Sequence, residues 1–172
     1  MRDKPETPPS AVAAAPPSTQ PFKEALKEML ANKNFLLLTI GYALTYGIYC
    51  TVGSTISNLL HPFGFSPSEI SIAGGSCMLS GVIGALLIGL YVDHTSLYRR
   101  THLILGFMVI VSIFMVAYVL THSNGELLPI LASTIVFGIS GVSFFPVALS
   151  YGAELTFPLQ PALVNATMNF TG

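Results

Sequence analysis

Tyr42, Tyr46, Tyr49 and Gly53 recur at spacings of four, three and four, so a helix carries them on one face. Three phenol rings in line suit recognition rather than bond making. A π-face attracts a quaternary ammonium by about 0.5–2 kcal/mol per ring. A buried phenol hydroxyl wants a partner or a water-filled cavity. The same stripe equally serves plain hydrogen bonding between helices, and both readings stand. The second group is charged: Gly89-x-x-x-Asp93, then Arg99 and Arg100, and far along the chain Glu154. A carboxylate near a helix C-terminus opposes the macrodipole, so Glu154 is expected to take Arg99 or Arg100 as its partner. Machinery for covalent chemistry is not in view. The sequence has no H-E-x-x-H, no paired carboxylates inside an apolar run and no nucleophile beside a base. Asp93-His94 is the nearest approach to an acid–base pair and falls at a turn. The expectation is that the chain is not an enzyme.

The elements that must position these residues are long and apolar. After Lys33 the charges are Glu69, Asp93, Arg99, Arg100, Glu126 and Glu154, which punctuate charge-free runs over 34–68, 70–92, 101–125 and 127–153. Runs beyond roughly 18 such residues read as membrane spans. Composition agrees: 52% hydrophobic, 9% charged, mean hydropathy +0.68, where soluble domains carry about 25% charged residues. The predicted fold is all-α, a polytopic transmembrane helical bundle with spans near 35–60, 70–92, 102–121 and 127–151, then a fifth, truncated one from about Ala162. Residues 1–21 hold Pro5, Pro8, Pro9, Pro16, Pro17 and Pro21 and no apolar stretch of signal-peptide type. They read as a disordered cytoplasmic linker. Over 22–34, Phe22, Leu26, Met29 and Leu30 oppose Lys23, Glu24, Lys27 and Glu28, the pattern of an amphipathic interfacial helix or of a polar cap on the first span.

All Lys and Arg residues lie in 1–34 or 93–101. The positive-inside rule therefore places those segments, with 152–161, in the cytoplasm of an integral multi-pass protein of the plasma or an organelle membrane. Net charge of −1 gives no argument for nucleic acid. Cys50 and Cys77 lack metal-ligand spacing and read as packing residues. Gly81, Ala85 and Gly89 form a small-residue stripe suited to close helix approach, and Pro146, with Gly138 and Gly141 before it, is expected to kink its helix. Asn165-Ala-Thr167 and Asn169-Phe-Thr171 spell glycosylation sequons, but at the cytoplasmic entry of a span, where modification is not expected.

Gly89-x-x-x-Asp93 with the basic pair, at the end of a second span, resembles the cytoplasmic loop motif of the major facilitator superfamily. There the carboxylate caps a neighbouring helix and the arginines bond carboxylates across the loops. The segments KPETPPS, GLYVDHTSLYRR and FFPVALSYGAELTFP are similar to the feline leukaemia virus subgroup C receptor family, solute carrier family 49, within that superfamily. The resemblance covers most of the chain. It implies that the spans are helices seven to eleven of twelve, with a missing N-terminal helical half as partner. It implies transport of a choline- or ethanolamine-like cation or of haem by alternating access, with a lipid bilayer as surroundings and no cofactor. It implies substrate contact by an aromatic for which Tyr49 is the nearest match, by Asn58 in STISN, and by Asn169 where the family has Gln. Gly53 is expected to break the helix and turn Asn58 inward. Asp93, Arg99, Arg100 and Glu154 form the implied cytoplasmic gating network. One departure is Ser150, where the family carries a second Glu. His61, at the outer face, is the candidate axial ligand if haem is the solute. A truncated, non-transporting membrane scaffold or receptor fragment is the alternative reading.

Overall fold

The computed structural model describes residues 21–122 and 126–172, so the linker expected over 1–21 lies outside them but for Pro21. The described residues form helices and short turns, with no strand among them. The order is α1 (Phe22–Ala31), α2 (Lys33–Leu60), α3 (Pro67–Thr95), α4 (Tyr98–His122), α5 (Leu127–Leu155) and α6 (Pro161–Thr171), with a 3₁₀ turn at His61–Phe63. Four segments, Lys33–Phe63, Pro67–Thr95, Tyr98–His122 and Leu127–Leu155, are long and apolar enough to cross a membrane. Even α4, the shortest at 25 residues, reaches about 37 Å against roughly 30 Å of hydrocarbon. Helix α6 has 11 residues, about 16 Å, and does not. The outward faces carry large apolar side chains such as Leu90, Phe107 and Phe114. Water would penalise that surface and acyl chains do not.

The described chain falls into two compact units, one built from the residues up to Ala43 with Leu149–Gly172, the other from Leu44–Ala148. In the first unit, Leu38 of α2, Gly152 of α5 and Val164 and Met168 of α6 meet. A Cβ on Gly152 would sit 2.7 Å from the Met168 sulfur, 3.5 Å from Val164 Cγ1 and 3.6 Å from Leu38 Cδ2. The joint of this unit is Asn32. Its side-chain oxygen accepts the amides of Asn34 and Phe35 at 3.1 and 3.3 Å, which N-caps α2. Its side-chain amide donates to the Leu155 carbonyl at 3.2 Å, which satisfies a terminal acceptor of α5. The amphipathic helix therefore stops at Ala31 rather than running to 34, because Asn32 leaves the helix to cap two others. The reversal after α5 is built by Thr156, whose hydroxyl bonds the Gly152 carbonyl at 2.9 Å, and by Leu159, whose amide bonds the Thr156 carbonyl at 2.9 Å. The Glu154–Pro158 string thus ends a helix, with Pro placed where a helix cannot resume.

Asn32→Ala removes both caps and is expected to destabilise by roughly 1–2 kcal/mol. Asn32→Asp keeps the acceptor that caps α2, loses the donor to Leu155, and falls between. Thermal unfolding of the two variants checks the order. Equal loss in both would mean that the α5 bond carries all the effect.

In the second unit α5 is the inner helix, with Phe137, Ser140, Ser143, Phe144, Val147 and Ala148 buried along it. It meets α3 through glycine. A Cβ on Gly138 would overlap the Cys77 carbonyl oxygen and come 2.7 Å from Ser80 Oγ, and one on Gly84 would come 2.9 Å from Ile139 Cγ2. Gly81 likewise faces Val142. The small-residue contacts used for packing are therefore at 77, 80, 81 and 84, so Gly81 of the expected stripe takes part while Gly89 does not, since nothing lies within 4 Å of a Cβ on Gly89. A 3.6-residue helix drifts around its axis, so a strict four-residue repeat leaves the contact face. Gly138 and Gly141, read as softening the helix before Pro146, are contact points, and α5 runs on past Pro146 to Leu155. Ser80 Oγ donates to the Ile135 carbonyl at 3.2 Å, and Ser112 of α4 lies 3.4 Å from Ser140 of α5.

One end of this unit is closed by an apolar cluster of Leu60, Phe65, Ile70, Ala73, Val119 and Ile130. Entry to α3 is fixed by a capping box. Ser66 accepts the Glu69 amide and the Glu69 carboxylate accepts the Ser66 amide at 2.8 Å. Glu69 is thus spent on a helix start. At the opposite end, α3 and α4 are joined by Ser96 and Leu97 alone, Ser96 taking φ 54°. The connection expected over 93–101 is helical on both sides, with Asp93 in the last turn of α3 and Arg99 and Arg100 in the first turn of α4.

Candidate functional site

In the second unit the aromatic face of α2 meets a matching face of α5. Phe137, Gly141 and Phe145 recur every four residues on α5 and make a slot with a ring at each end. Tyr49 fills it. Its ring stacks on Phe137 at 5.7 Å and 20° and meets Phe145 edge-on at 5.6 Å and 79°. Gly141 is what lets the ring in, since a Cβ there would lie 2.9 Å from Tyr49 Cδ2. Tyr46 meets Phe145 edge-on at 5.4 Å and 68°, with 37% of its surface open. These distances and tilts match the edge-to-face and offset arrangements that aromatic quadrupoles favour.

Beside this group lies a cavity of about 150 Å³ lined by Tyr49, Val52, Gly53, Ile56, Gly74, Cys77, Met78 and Phe137. Gly53 and Gly74 leave room, with nothing within 4 Å of a Cβ on either. No charged side chain lines it. An apolar cavity near this size takes a benzene-sized group. Its means of recognition are two rings, a thiol, a thioether and dispersion. No group of three or more metal-ligating side chains occurs among the described residues.

The remaining sequence-predicted residues divide. Helix α2 is unbroken at Gly53, and Asn58 is an exposed residue near its end that does not line the cavity. The expected break fails because a lone glycine inside a membrane-length helix weakens it without ending it. Tyr42 belongs to the first unit. It is buried and its hydroxyl donates to Asn169 Oδ1 at 2.7 Å, while Asn169 Nδ2 donates to the Asn165 carbonyl at 3.0 Å. Both predicted residues are therefore engaged with each other. Asp93, Arg99 and Arg100 in the second unit and Glu154 in the first are all exposed at helix ends. Sequence reading missed Phe137 and Phe145. Their period of four around a glycine was the available signal, hidden in a helix that is apolar on all sides.

The sequence profile described as Major Facilitator Superfamily matches residues 1–172. The chain belongs to the Major Facilitator Superfamily. Over 98% of its length it is 23% identical to the choline/ethanolamine transporter FLVCR1 of Felis catus and 28% identical to the choline/ethanolamine transporter flvcr2a of Danio rerio. Over 99% it is 26% identical to the choline/ethanolamine transporter FLVCR2 of Homo sapiens. The chain spans about a third of the length of these curated relatives: 31%, 37% and 33%. Membership of this superfamily and four spanning-length helices make the chain an integral, multi-pass membrane protein.

Proposed function

We propose that the chain is part of a transmembrane transporter carrying a small organic cation of choline or ethanolamine type by alternating access. The observation that carries this reading is the uncharged cavity walled by Tyr49 and Phe137. π-faces hold a poorly hydrated onium ion without the desolvation cost of a buried carboxylate. The relatives named as choline/ethanolamine transporters support the same solute class. The membrane potential supplies the driving force, about 2.3 kcal/mol per 100 mV for one charge, near fifty-fold accumulation. Haem, bulky and anionic, gains nothing from that potential and exceeds a cavity of about 150 Å³. Asp93, Arg99, Arg100 and Glu154 enter the proposal as the cytoplasmic charges that gate the cycle.

Uptake of labelled choline, ethanolamine and haem by cells making this chain alone, beside cells making a whole-length relative, tests the reading. Saturable choline uptake by the chain, cut by potassium depolarisation, is the expected result. Uptake by the longer protein alone makes the chain a scaffold or fragment without autonomous transport, the second reading. Haem uptake without choline uptake overturns the cation.

A further inference from the structure

Helix α1 divides its circumference into four sides. Counting about 100° per residue, Phe22, Leu26 and Leu30 form one apolar strip. Ala25 and Met29 flank the strip on one edge and are 3% and 0% exposed, so that edge is packed within the first unit. Lys23 and Lys27 flank the other edge, and both are exposed. Glu24 and Glu28 stand on the opposite side of the helix, also exposed. The strip itself is largely open: Phe22 is 62% and Leu30 51% exposed, and Leu26 is half-buried. Water penalises such a surface. The chain leaves helical geometry at Asn32, with φ −81° and ψ 103°, so α1 is not a continuation of the membrane-length helix α2. Yet it ends close to the bilayer. Leu37 and Ile40, exposed apolar residues of α2 in the same unit, begin about 7 Å further along.

We propose that α1 lies along the surface of the membrane that the chain spans, with Phe22 and Leu30 in the acyl boundary and Lys23 and Lys27 on anionic phospholipid headgroups. Charge placement selects this occupant. With the strip turned to the bilayer, the two lysines stand at headgroup level, where their long stems lie on apolar surface and their ammonium groups reach the phosphates. Glu24 and Glu28 then point straight away into water, as far from an anionic surface as the helix allows. The remaining edge, Ala25 and Met29, holds the helix to its own unit. A zwitterionic surface satisfies the apolar strip but leaves the segregation of lysine from glutamate without effect. An anionic surface uses both.

The chain holds no tryptophan, so Phe22→Trp places a single reporter on the strip. The full chain is reconstituted in vesicles of phosphatidylcholine, with and without about one third phosphatidylserine, some of the acyl chains carrying bromine. In the anionic vesicles the tryptophan should emit at short wavelength and be quenched by the bromine, and Glu28→Trp on the opposite side should do neither. A lysine at an anionic surface contributes about fivefold to binding. Adding Lys23→Gln and Lys27→Gln should therefore lower the ratio of inserted to withdrawn reporter about 25-fold, and molar salt should act in the same direction. Glu24→Gln should leave insertion in place. Emission typical of water in every vesicle overturns the proposal. So does short-wavelength emission without quenching, which would mean that protein, a further segment or a second copy, covers the strip. Equal quenching with and without phosphatidylserine, unmoved by the lysine changes, overturns the anionic headgroup. If Phe22→Trp does not reconstitute, Leu30→Trp reports on the same strip and decides by the same outcomes.

Discussion

Gly138→Leu is expected to break the packing of α3 on α5 and to give the largest loss of stability of any single change in the second unit. The reason is that the obstacle is backbone. A Cβ at 138 would overlap the Cys77 carbonyl, and Ser80 Oγ stands 2.7 Å away on the same side. A side chain in that place can rotate aside; a helical carbonyl cannot without moving its helix. Overpacking costs about 1–3 kcal/mol where side chains can yield, and more where they cannot. Separation of the helices also breaks the bond from Ser80 to the Ile135 carbonyl. A loss of about 3 kcal/mol corresponds to roughly 6–12 °C in melting temperature for a chain of this size. Thermal unfolding in detergent measures it. Gly89→Ala is the control. With nothing within 4 Å of a Cβ there, it should leave the melting temperature unchanged or raise it slightly through helix propensity. If Gly138→Leu melts with the native protein, α3 and α5 do not pack as described.

Transport should respond most strongly to Tyr49. Tyr49→Ala removes a ring that both walls the cavity and stacks on Phe137. One cation–π contact of about 0.5–2 kcal/mol corresponds to a two- to thirty-fold loss in apparent affinity for choline. Truncating so large a side chain also costs stability, so the decisive comparison is with two milder variants. Tyr49→Phe keeps the ring and the stack and should hold affinity within about threefold. Gly74→Val adds bulk into open space and should fill part of the cavity without disturbing the fold. Its expected signature is weaker choline uptake at an unchanged melting temperature. Native affinity in both Tyr49→Ala and Gly74→Val would remove this cavity from the solute's path.

Membrane residence and the number of long helices were readable from residue type alone, and the superfamily from the resemblance of a loop motif and three short segments. Acyl chains, unlike water, accept an apolar helix on every face, so length without charge is enough to mark a span. That same uniformity hid the interior. A helix apolar all round has no polar face to say which side points inward. Sequence could therefore place Gly81, Ala85 and Gly89 in one row, yet not tell that Gly84 rather than Gly89 is pressed against α5. It could align Tyr42, Tyr46 and Tyr49, yet not tell that Tyr49 enters the Phe137–Gly141–Phe145 slot while Tyr42 bonds Asn169. Asn32 holding the ends of two helices, with the bonded groups 123 positions apart in the chain, lies beyond any local pattern. Periodicity reports neighbours along one helix. Which atoms a side chain reaches on another helix is fixed by close packing, and that was decided only when the helices met.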